Sequence, residues 1–258
     1  PPRALELAIG SGRVALPLLE AGVSVTGIDI SEEMVAVLRA KPGADRIQVV
    51  MGDFAEVALE EQFPLVYLPF NTLFALLDQA RQVECFQNVA RALEPGGRFV
   101  LDTFLPDLSR YDHLGTRMGV SSISSNEAHA YELAIHDPLA QTVVSHQVRR
   151  LEDGSTVVLP VTVRYAWPSE MDLMARLAGL ELEVCEPAHR SFALLCNALI
   201  DISLFCLHLF KPQQILLKDL SGARVLAHFV ATLCVRDLHC LVAVGEGQEH
   251  VGDGADRP

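Results

Sequence analysis

Residues 5–13 read Leu5-Glu6-Leu7-Ala8-Ile9-Gly10-Ser11-Gly12-Arg13, and an apolar helical pattern follows over residues 14–22. An apolar run that ends in spaced glycines and passes into a helix predicts a strand, a tight loop and a helix. Gly10 and Gly12 allow a ligand to approach the backbone closely, and the new helix offers unpaired N–H groups. This stretch predicts the binding loop of a parallel α/β sheet.

Two further strands bring acidic residues to the same edge of that sheet. An apolar run over residues 23–28 ends at Asp29, where a carboxylate is well placed to accept hydrogen bonds from ribose hydroxyls. A third strand over residues 47–51 leads into Gly52-Asp53-Phe54, which adds an acid and an aromatic ring. The arrangement predicts a nucleoside-binding crevice at the carboxyl ends of the strands.

The glycine loop alone does not decide which nucleoside binds. Gly10-x-Gly12-x-x-Ala15 also satisfies the dinucleotide-binding pattern, which leaves an NAD(P)-dependent oxidoreductase as an alternative. Glu6 argues against it, because a dinucleotide enzyme normally keeps an apolar residue at this point of the first strand. A semi-buried carboxylate there also needs a partner.

At this point the chain resembles the class I S-adenosylmethionine-dependent methyltransferases, in particular those that act on small molecules and carry a β-meander insertion. Most relatives have a glycine where this chain has Ala8. The resemblance covers residues 3–185 and implies an α/β fold, with a Rossmann-like, mostly parallel sheet, helices on both faces and an antiparallel β-meander. It rests on four ordered motifs, which are residues 6–13, Gly27-Ile28-Asp29-Ile30-Ser31, Gly52-Asp53-Phe54 and Leu93-Glu94-Pro95-Gly96-Gly97-Arg98.

The resemblance implies S-adenosylmethionine as the cofactor. It places Glu6 near the methionine end, Asp29 on the ribose and Asp53 on the adenine amino group. Ile30 or Phe54 would pack on the adenine ring, and Asn71 would lie near the methyl-donor end. Two roles are open to Arg13, pairing with the cofactor carboxylate or with Glu6. The predicted cofactor-binding set is Glu6, Ala8, Gly10, Gly12, Arg13, Asp29, Ile30, Asp53, Phe54 and Asn71.

The hydrophobic pattern changes period after residue 104. Apolar residues alternate with polar ones in extended runs near residues 131–135, 142–151 and 157–167, which predicts an antiparallel meander. Methyl transfer relies on alignment and desolvation, so a general base is needed only when the acceptor must first lose a proton. His129 and His136 are among the candidates by position, and the catalytic residues that we predict are Tyr111, His113 and Tyr131.

These patterns predict four regions. Residues 1–104 form the cofactor-binding core, 105–168 the meander, which serves as a lid and substrate region, and 169–185 a returning helix and strand. Because the chain starts at the first core strand, we expect it to lack the helical segment that precedes this strand in relatives and covers the cofactor. Residues 186–258 are an atypical apolar tail with a disordered end, and they depart from the family pattern.

The tail contains one stretch long enough to cross a bilayer, residues 192–210, whose only charge is Asp201. Asn197, Asp201 and His208 would be costly in a membrane, so we favour a buried or partner-covered helix. A shifted reading frame is a third alternative. The late histidines and cysteines match no zinc-binding spacing, and we predict no metal site.

Composition narrows the class of protein. A net charge of −13 disfavours a nucleic-acid partner. The six irregularly spaced cysteines and the absence of a signal peptide lead us to expect a cytoplasmic protein with reduced thiols. We predict methyl transfer to the N or O atom of a small molecule, with a homodimer contact through the meander left open. The alternatives are an oxidoreductase and a degenerate, non-catalytic cofactor-binding protein.

Overall fold

A computed structural model describes residues 2–121, 130–150, 154–187 and 240–246 of the chain. These residues form a seven-stranded sheet and a separate four-stranded sheet. The strands are β1 (Arg3–Leu7), β2 (Ser24–Asp29), β3 (Gln48–Met51), β4 (Phe63–Leu68), β5 (Leu93–Thr103), β6 (Thr116–Ser121), β7 (Ala130–Asp137), β8 (Thr142–Arg150), β9 (Thr156–Arg164), β10 (Leu180–Pro187) and β11 (Cys240–Glu246).

The larger sheet has the strand order β10-β11-β5-β4-β1-β2-β3. Strands β1 to β5 pair in parallel, whereas β11 runs antiparallel to both of its neighbours. The carboxyl ends of β1, β2, β4 and β5 therefore meet at one edge, where a parallel sheet binds its ligands. β11 lies in the tail, and it sits between β5 and β10, inside the sheet rather than at its edge.

Within the described ranges four α-helices lie against this sheet, α1 (Ala15–Glu20), α2 (Glu32–Arg39), α3 (Gln79–Ala92) and α4 (Pro168–Leu177). Ser31 caps α2 by accepting a hydrogen bond from the Met34 amide, and Asp78 caps α3 in the same way. Pro168 opens α4 at a position where a missing N–H costs nothing. The helix predicted from the apolar pattern over residues 14–22 is shorter in the structure, where α1 has six residues.

Apolar layers lie on both faces of the sheet, as alternation along β4 shows. Leu65 and Tyr67 belong to the layer that contains α1, and Val66 and Leu68 belong to the layer that contains α3 and α4. This alternation follows from the period of two along a strand. The predicted Rossmann-like sheet with helices on both faces is confirmed.

The smaller sheet is an antiparallel meander in the order β6-β7-β8-β9. Its last three strands follow the predicted alternation, although β9 ends at Arg164 and not at Trp167. β6 was not predicted, because Arg117 and Gly119 interrupt its apolar pattern.

Much of the predicted tail, including residues 192–210, and also His129 lie outside the described residues. Within the described ranges no helix is long and apolar enough to cross a membrane.

Candidate active site

The glycine loop between β1 and α1 uses left-handed backbone at alternate residues. The φ angles are 55° at Ala8, 52° at Gly10 and 75° at Gly12. Glycine adopts this conformation without cost, whereas alanine does not, which agrees with the glycine that the family resemblance implies at the position of Ala8. At Gly12 an added Cβ would also lie 2.4 Å from a methyl carbon of Leu38 on α2. The loop is therefore shaped by its own backbone and by the helix packed behind it.

Asp29 holds this loop in place from the end of β2. Its Oδ2 accepts a hydrogen bond of 2.6 Å from the Gly10 amide, and its Oδ1 accepts one of 2.8 Å from the Ser31 amide. Each carboxylate oxygen can accept more than one hydrogen bond, so the side chain is oriented by the backbone and can still accept from ribose hydroxyls. The structure thus gives Asp29 a second role, anchoring the loop, beside the predicted one.

Glu6 is buried in β1, and Tyr67 from the neighbouring strand β4 donates a hydrogen bond of 2.8 Å to its Oε2. Burial raises the pKa of the Glu6 carboxyl to about 8, although the Tyr67 hydrogen bond, a backbone hydrogen bond at Ala15 and the positive charge of Arg13 oppose the rise. Without a cationic ligand, Glu6 is therefore mostly protonated at neutral pH. Tyr67 was not predicted as a partner because it lies within an apolar run in the sequence.

Among the described residues Arg13 forms no ion pair with Glu6, and the other predicted pair, with the cofactor carboxylate, stays a prediction. Its guanidinium lies over the ring of Phe70, with 3.5 Å between Cζ and the ring centroid. Phe70 and Asn71, which follow β4, both have positive φ angles, 61° and 62°. The Asn71 Oδ1 accepts a hydrogen bond of 2.5 Å from the Phe104 amide and so ties the end of β4 to the end of β5.

The predicted adenine contacts differ in their surroundings. The Asp53 Oδ1 accepts from the Ala55 amide, and its Oδ2 forms an ion pair of 2.7 Å with Arg81 on α3, a partner that the sequence did not indicate. Ile30 is 72% exposed beside Asp29, whereas Phe54 is partly buried and packs against the core. Of the two apolar candidates for the adenine ring, Ile30 has the free surface.

These side chains fit S-adenosylmethionine. Carboxylate side chains lie near the end of β1, at the end of β2 and after β3. They can accept hydrogen bonds from ribose hydroxyls and an adenine amino group, and they can attract the positive charge of the cofactor. The left-handed loop brings backbone close to the crevice, and the exposed Ile30 offers apolar surface for a ring. Glu6, Asp29, Asp53 and Ile30 would hold the cofactor, and the individual contacts stay predictions.

The predicted catalytic residues do not all come together. Tyr111 and His113 lie after β5 and line an open cleft of about 330 Å³, with Asp112, Leu114, His136 and Pro138. Tyr131 points to the other face of the meander from His136, because one has an odd and the other an even position along β7, and it is 48% exposed. The cleft therefore groups Tyr111 and His113 with His136, and Tyr131 does not belong to it.

Comparison with known proteins agrees with this geometry. Residues 4–97 match the family described as methyltransferase domain. The CcbJ methyltransferase from Streptomyces caelestis is 40% identical, over 72% of this chain and 75% of that one, with a TM-score of 0.66. The cypemycin N-terminal methyltransferase from a Streptomyces species is 28% identical, over 69% of this chain and 72% of its own length.

A solved S-adenosylmethionine-dependent methyltransferase from Clostridium acetobutylicum shares the fold at 14% identity. The match covers 95% of this chain and 84% of the Clostridium chain, with a TM-score of 0.65. With the crevice described above, these findings lead to one conclusion. The chain belongs to the class I S-adenosylmethionine-dependent methyltransferases, and it is an enzyme that takes its methyl group from S-adenosylmethionine.

Proposed function

We propose that this methyltransferase transfers the methyl group to the amine of a small molecule. The observation that carries the proposal is the cleft after β5, where Tyr111 and His136 provide aromatic surface and Asp112 provides negative charge. Backbone hydrogen bonds, first of all from the Thr116 amide, lower the pKa of Asp112, so its carboxylate stays ionised. Aromatic faces beside a carboxylate suit a compact cationic group such as an ammonium.

The size of the cleft and the name of one relative support the same class of acceptor. A volume of about 330 Å³ lies at the small end of the range for ligand pockets, which favours a compact molecule. The cypemycin enzyme is named as an N-terminal methyltransferase, and an N-terminus is an amine. The volume favours a compact acceptor, and the relative's name favours N-methylation over the O-methylation that the sequence also left open.

When bound, S-adenosylmethionine supplies a methyl carbon activated by a positively charged sulfur. The chain's own residues bind and orient the cofactor and the acceptor. Asp29 and the Gly10 loop hold the nucleoside end, and Glu6 offers a carboxyl group whose ionised form a nearby cation would stabilise. The meander provides one wall of the acceptor cleft through His136.

The test is methylation of matched acceptors, detected by mass spectrometry. We would compare a dipeptide with its N-acetylated form, and the methyl glycoside of an amino sugar with that of the parent sugar. The expected result is a methyl group on the free amines only, lost in Asp29→Ala. Methylation of the hydroxyl compounds, with no methylation of either amine, would refute the proposal.

A further inference from the structure

Three aromatic side chains form a column at the wall of the cleft. The Tyr111 and His136 ring centroids are 5.0 Å apart, and those of His136 and Tyr165 are 5.6 Å apart. The His136 Nε2 and the Tyr165 hydroxyl oxygen are 2.8 Å apart, a hydrogen bond. Tyr165 itself is buried, with the edge of Trp167 against it. The imidazole is therefore held from two sides while it still lines the cleft.

The column is attached to the edge of the sheet where the methyl donor is expected. The Gln82 Nε2 donates to the carbonyl oxygen of Arg164 at 2.8 Å and also lies 3.4 Å from that of Leu73. Leu73 belongs to the 3-10 turn (Thr72–Ala75) that starts directly after Asn71. Tyr165, the next residue after Arg164, is thus fixed beside the carboxyl end of β4.

A buried charge network keeps this junction rigid. The guanidinium of Arg164 donates to the Gln82 Oε1 at 2.6 Å and pairs with Glu170 on α4 at 2.7 Å. Gln141, from the turn between β7 and β8, donates to Glu170 at 2.8 Å and to the Tyr165 carbonyl at 3.1 Å. Arg164 is only 5% exposed, so these bonds are shielded from water. The meander is therefore fastened to α3 and α4 at the base of the aromatic column.

The chemistry of an amine acceptor requires a proton acceptor here, an argument that rests on the proposed function. Most aliphatic amines are ammonium ions at neutral pH and have no lone pair to attack a methyl carbon. We propose that His136 accepts the proton of an ammonium acceptor bound in the cleft, and that Tyr165 is a positioning residue that holds the imidazole. In this arrangement Nε2–H donates to the Tyr165 oxygen, and Nδ1 takes the proton.

The step balances in atoms and charge. An N–H bond of the ammonium breaks, its proton goes to the imidazole, and the electron pair stays on nitrogen. That pair forms the new N–C bond, while the C–S pair goes to sulfur and leaves a neutral thioether. Burial raises the pKa of the Tyr165 hydroxyl, so this phenol stays neutral and does not compete as a base.

Titratable groups near His136 come from several elements. Tyr111 faces it from the loop after β5, and Tyr165 faces it from the end of β9. Asp112 and His113 share the cleft. The ion pair of Arg117 and Glu132, 2.8 Å long, lies further along the same face of β6 and β7. Arg117 and Arg110 also act on the Tyr111 hydroxyl, and Asp137 acts on that of Tyr165. Among the residues that line the cleft, Asp112 is the carboxylate.

The test compares His136→Gln and Tyr165→Phe with His146→Gln, the same substitution on the opposite face of the meander. The probe is the methyl glycoside of an amino sugar, with kcat and KM measured from pH 6 to pH 10. We expect His136→Gln to lower kcat at pH 7 by about 10²–10³-fold with little change in KM. The loss should shrink about tenfold per pH unit as solvent deprotonates the amine. Tyr165→Phe should show a smaller loss of the same form, and His146→Gln none.

Two further readouts separate proton transfer from damage to the fold. Methoxyamine, which is neutral at pH 7, should be methylated almost equally by His136→Gln and by the unaltered enzyme. In the unaltered enzyme saturated with S-adenosylhomocysteine, the imidazole ¹⁵N signals of His136 should shift when the amino glycoside is added. Affinity for S-adenosylhomocysteine, measured by calorimetry, should be unchanged in all three variants.

The outcomes distinguish this inference from the proposed function. Wild-type kcat in His136→Gln at pH 7, a loss independent of pH and acceptor, or ¹⁵N signals that do not respond would each overturn the role of His136. In those cases amine methylation by the unaltered enzyme leaves the proposed function intact. An unaltered enzyme that methylates hydroxyls and no amine overturns both.

Discussion

Replacing Glu6 by glutamine tests the buried carboxyl at the end of β1. Burial raises its pKa from 4.5 to about 8, so the ionised form is about 5 kcal/mol less stable in the folded protein than in the unfolded chain. Below pH 4.5 both states hold the proton and burial costs nothing. Between pH 4.5 and pH 8 only the folded state holds it, so stability falls as pH rises.

Glu6→Gln removes this dependence and keeps an oxygen that can accept from Tyr67. We expect the variant and the unaltered protein to differ little at pH 5. At pH 8 the variant should be more stable, with the difference in unfolding free energy having widened by about 3–4 kcal/mol. Urea unfolding at both pH values measures this difference, because the midpoint and the slope of each transition give the unfolding free energy. Glu20→Gln, an exposed glutamate on α1, is the matched control.

A difference between Glu6→Gln and the unaltered protein that is the same at pH 5 and pH 8 would refute the reasoning. The same pKa has a consequence for ligand binding. S-adenosylmethionine is a cation and favours the ionised form of Glu6, so its binding at pH 7 should release part of a proton. Calorimetry in two buffers with different ionisation enthalpies should detect this release in the unaltered protein and not in Glu6→Gln.

Three other substitutions follow from the contacts. Ala8→Gly should raise the unfolding free energy by about 1 kcal/mol, because the left-handed backbone no longer opposes a side chain, as urea unfolding would show. Asp29→Ala should weaken S-adenosylhomocysteine binding in calorimetry by roughly 100-fold, since it removes ribose acceptors at about 1.5–3 kcal/mol each and releases the Gly10 amide. Arg164→Met should destabilise the protein by about 3 kcal/mol, because Glu170 is left half-buried without its cation. Adding Glu170→Gln to that variant should restore part of the loss in the same urea assay; no recovery would contradict the ion-pair explanation.

The core fold was predictable because its signals are local. The glycine loop, Asp29 at the end of an apolar run, and the alternation in the meander each specify backbone over a few residues. The Ser31 cap is a signal of the same kind. Strand β11 was harder to place, because its position between β5 and β10 depends on pairing between distant segments, which periodicity does not encode.

Within the site, the sequence indicated which polar residues lie at the sheet edge but not what they touch. Tyr67 donates a hydrogen bond to Glu6 from the neighbouring strand. Arg81 forms an ion pair with Asp53 from a helix far along the chain. His136 was one candidate among several, and only the fold shows that it shares a cleft with Tyr111. Such pairings arise from tertiary packing, and a single sequence carries no spacing that predicts them.

The three acids of the crevice look equivalent in the sequence, yet the structure gives them different tasks. The Asp29 carboxylate is oriented by two backbone amides, and that of Asp53 pairs with Arg81, which also pairs with Glu56 and Glu84. Glu6 is hydrogen-bonded to the Tyr67 hydroxyl and to the backbone of Ala15, both neutral groups, and it is the one whose pKa burial raises. We therefore expect Glu6 to be the acid whose charge changes when the cofactor binds. If the proton release described above is observed, recognition of the cofactor's positive charge depends on the protonation equilibrium of Glu6, whereas the Gly10 loop and Asp29 are already fixed before the nucleoside binds.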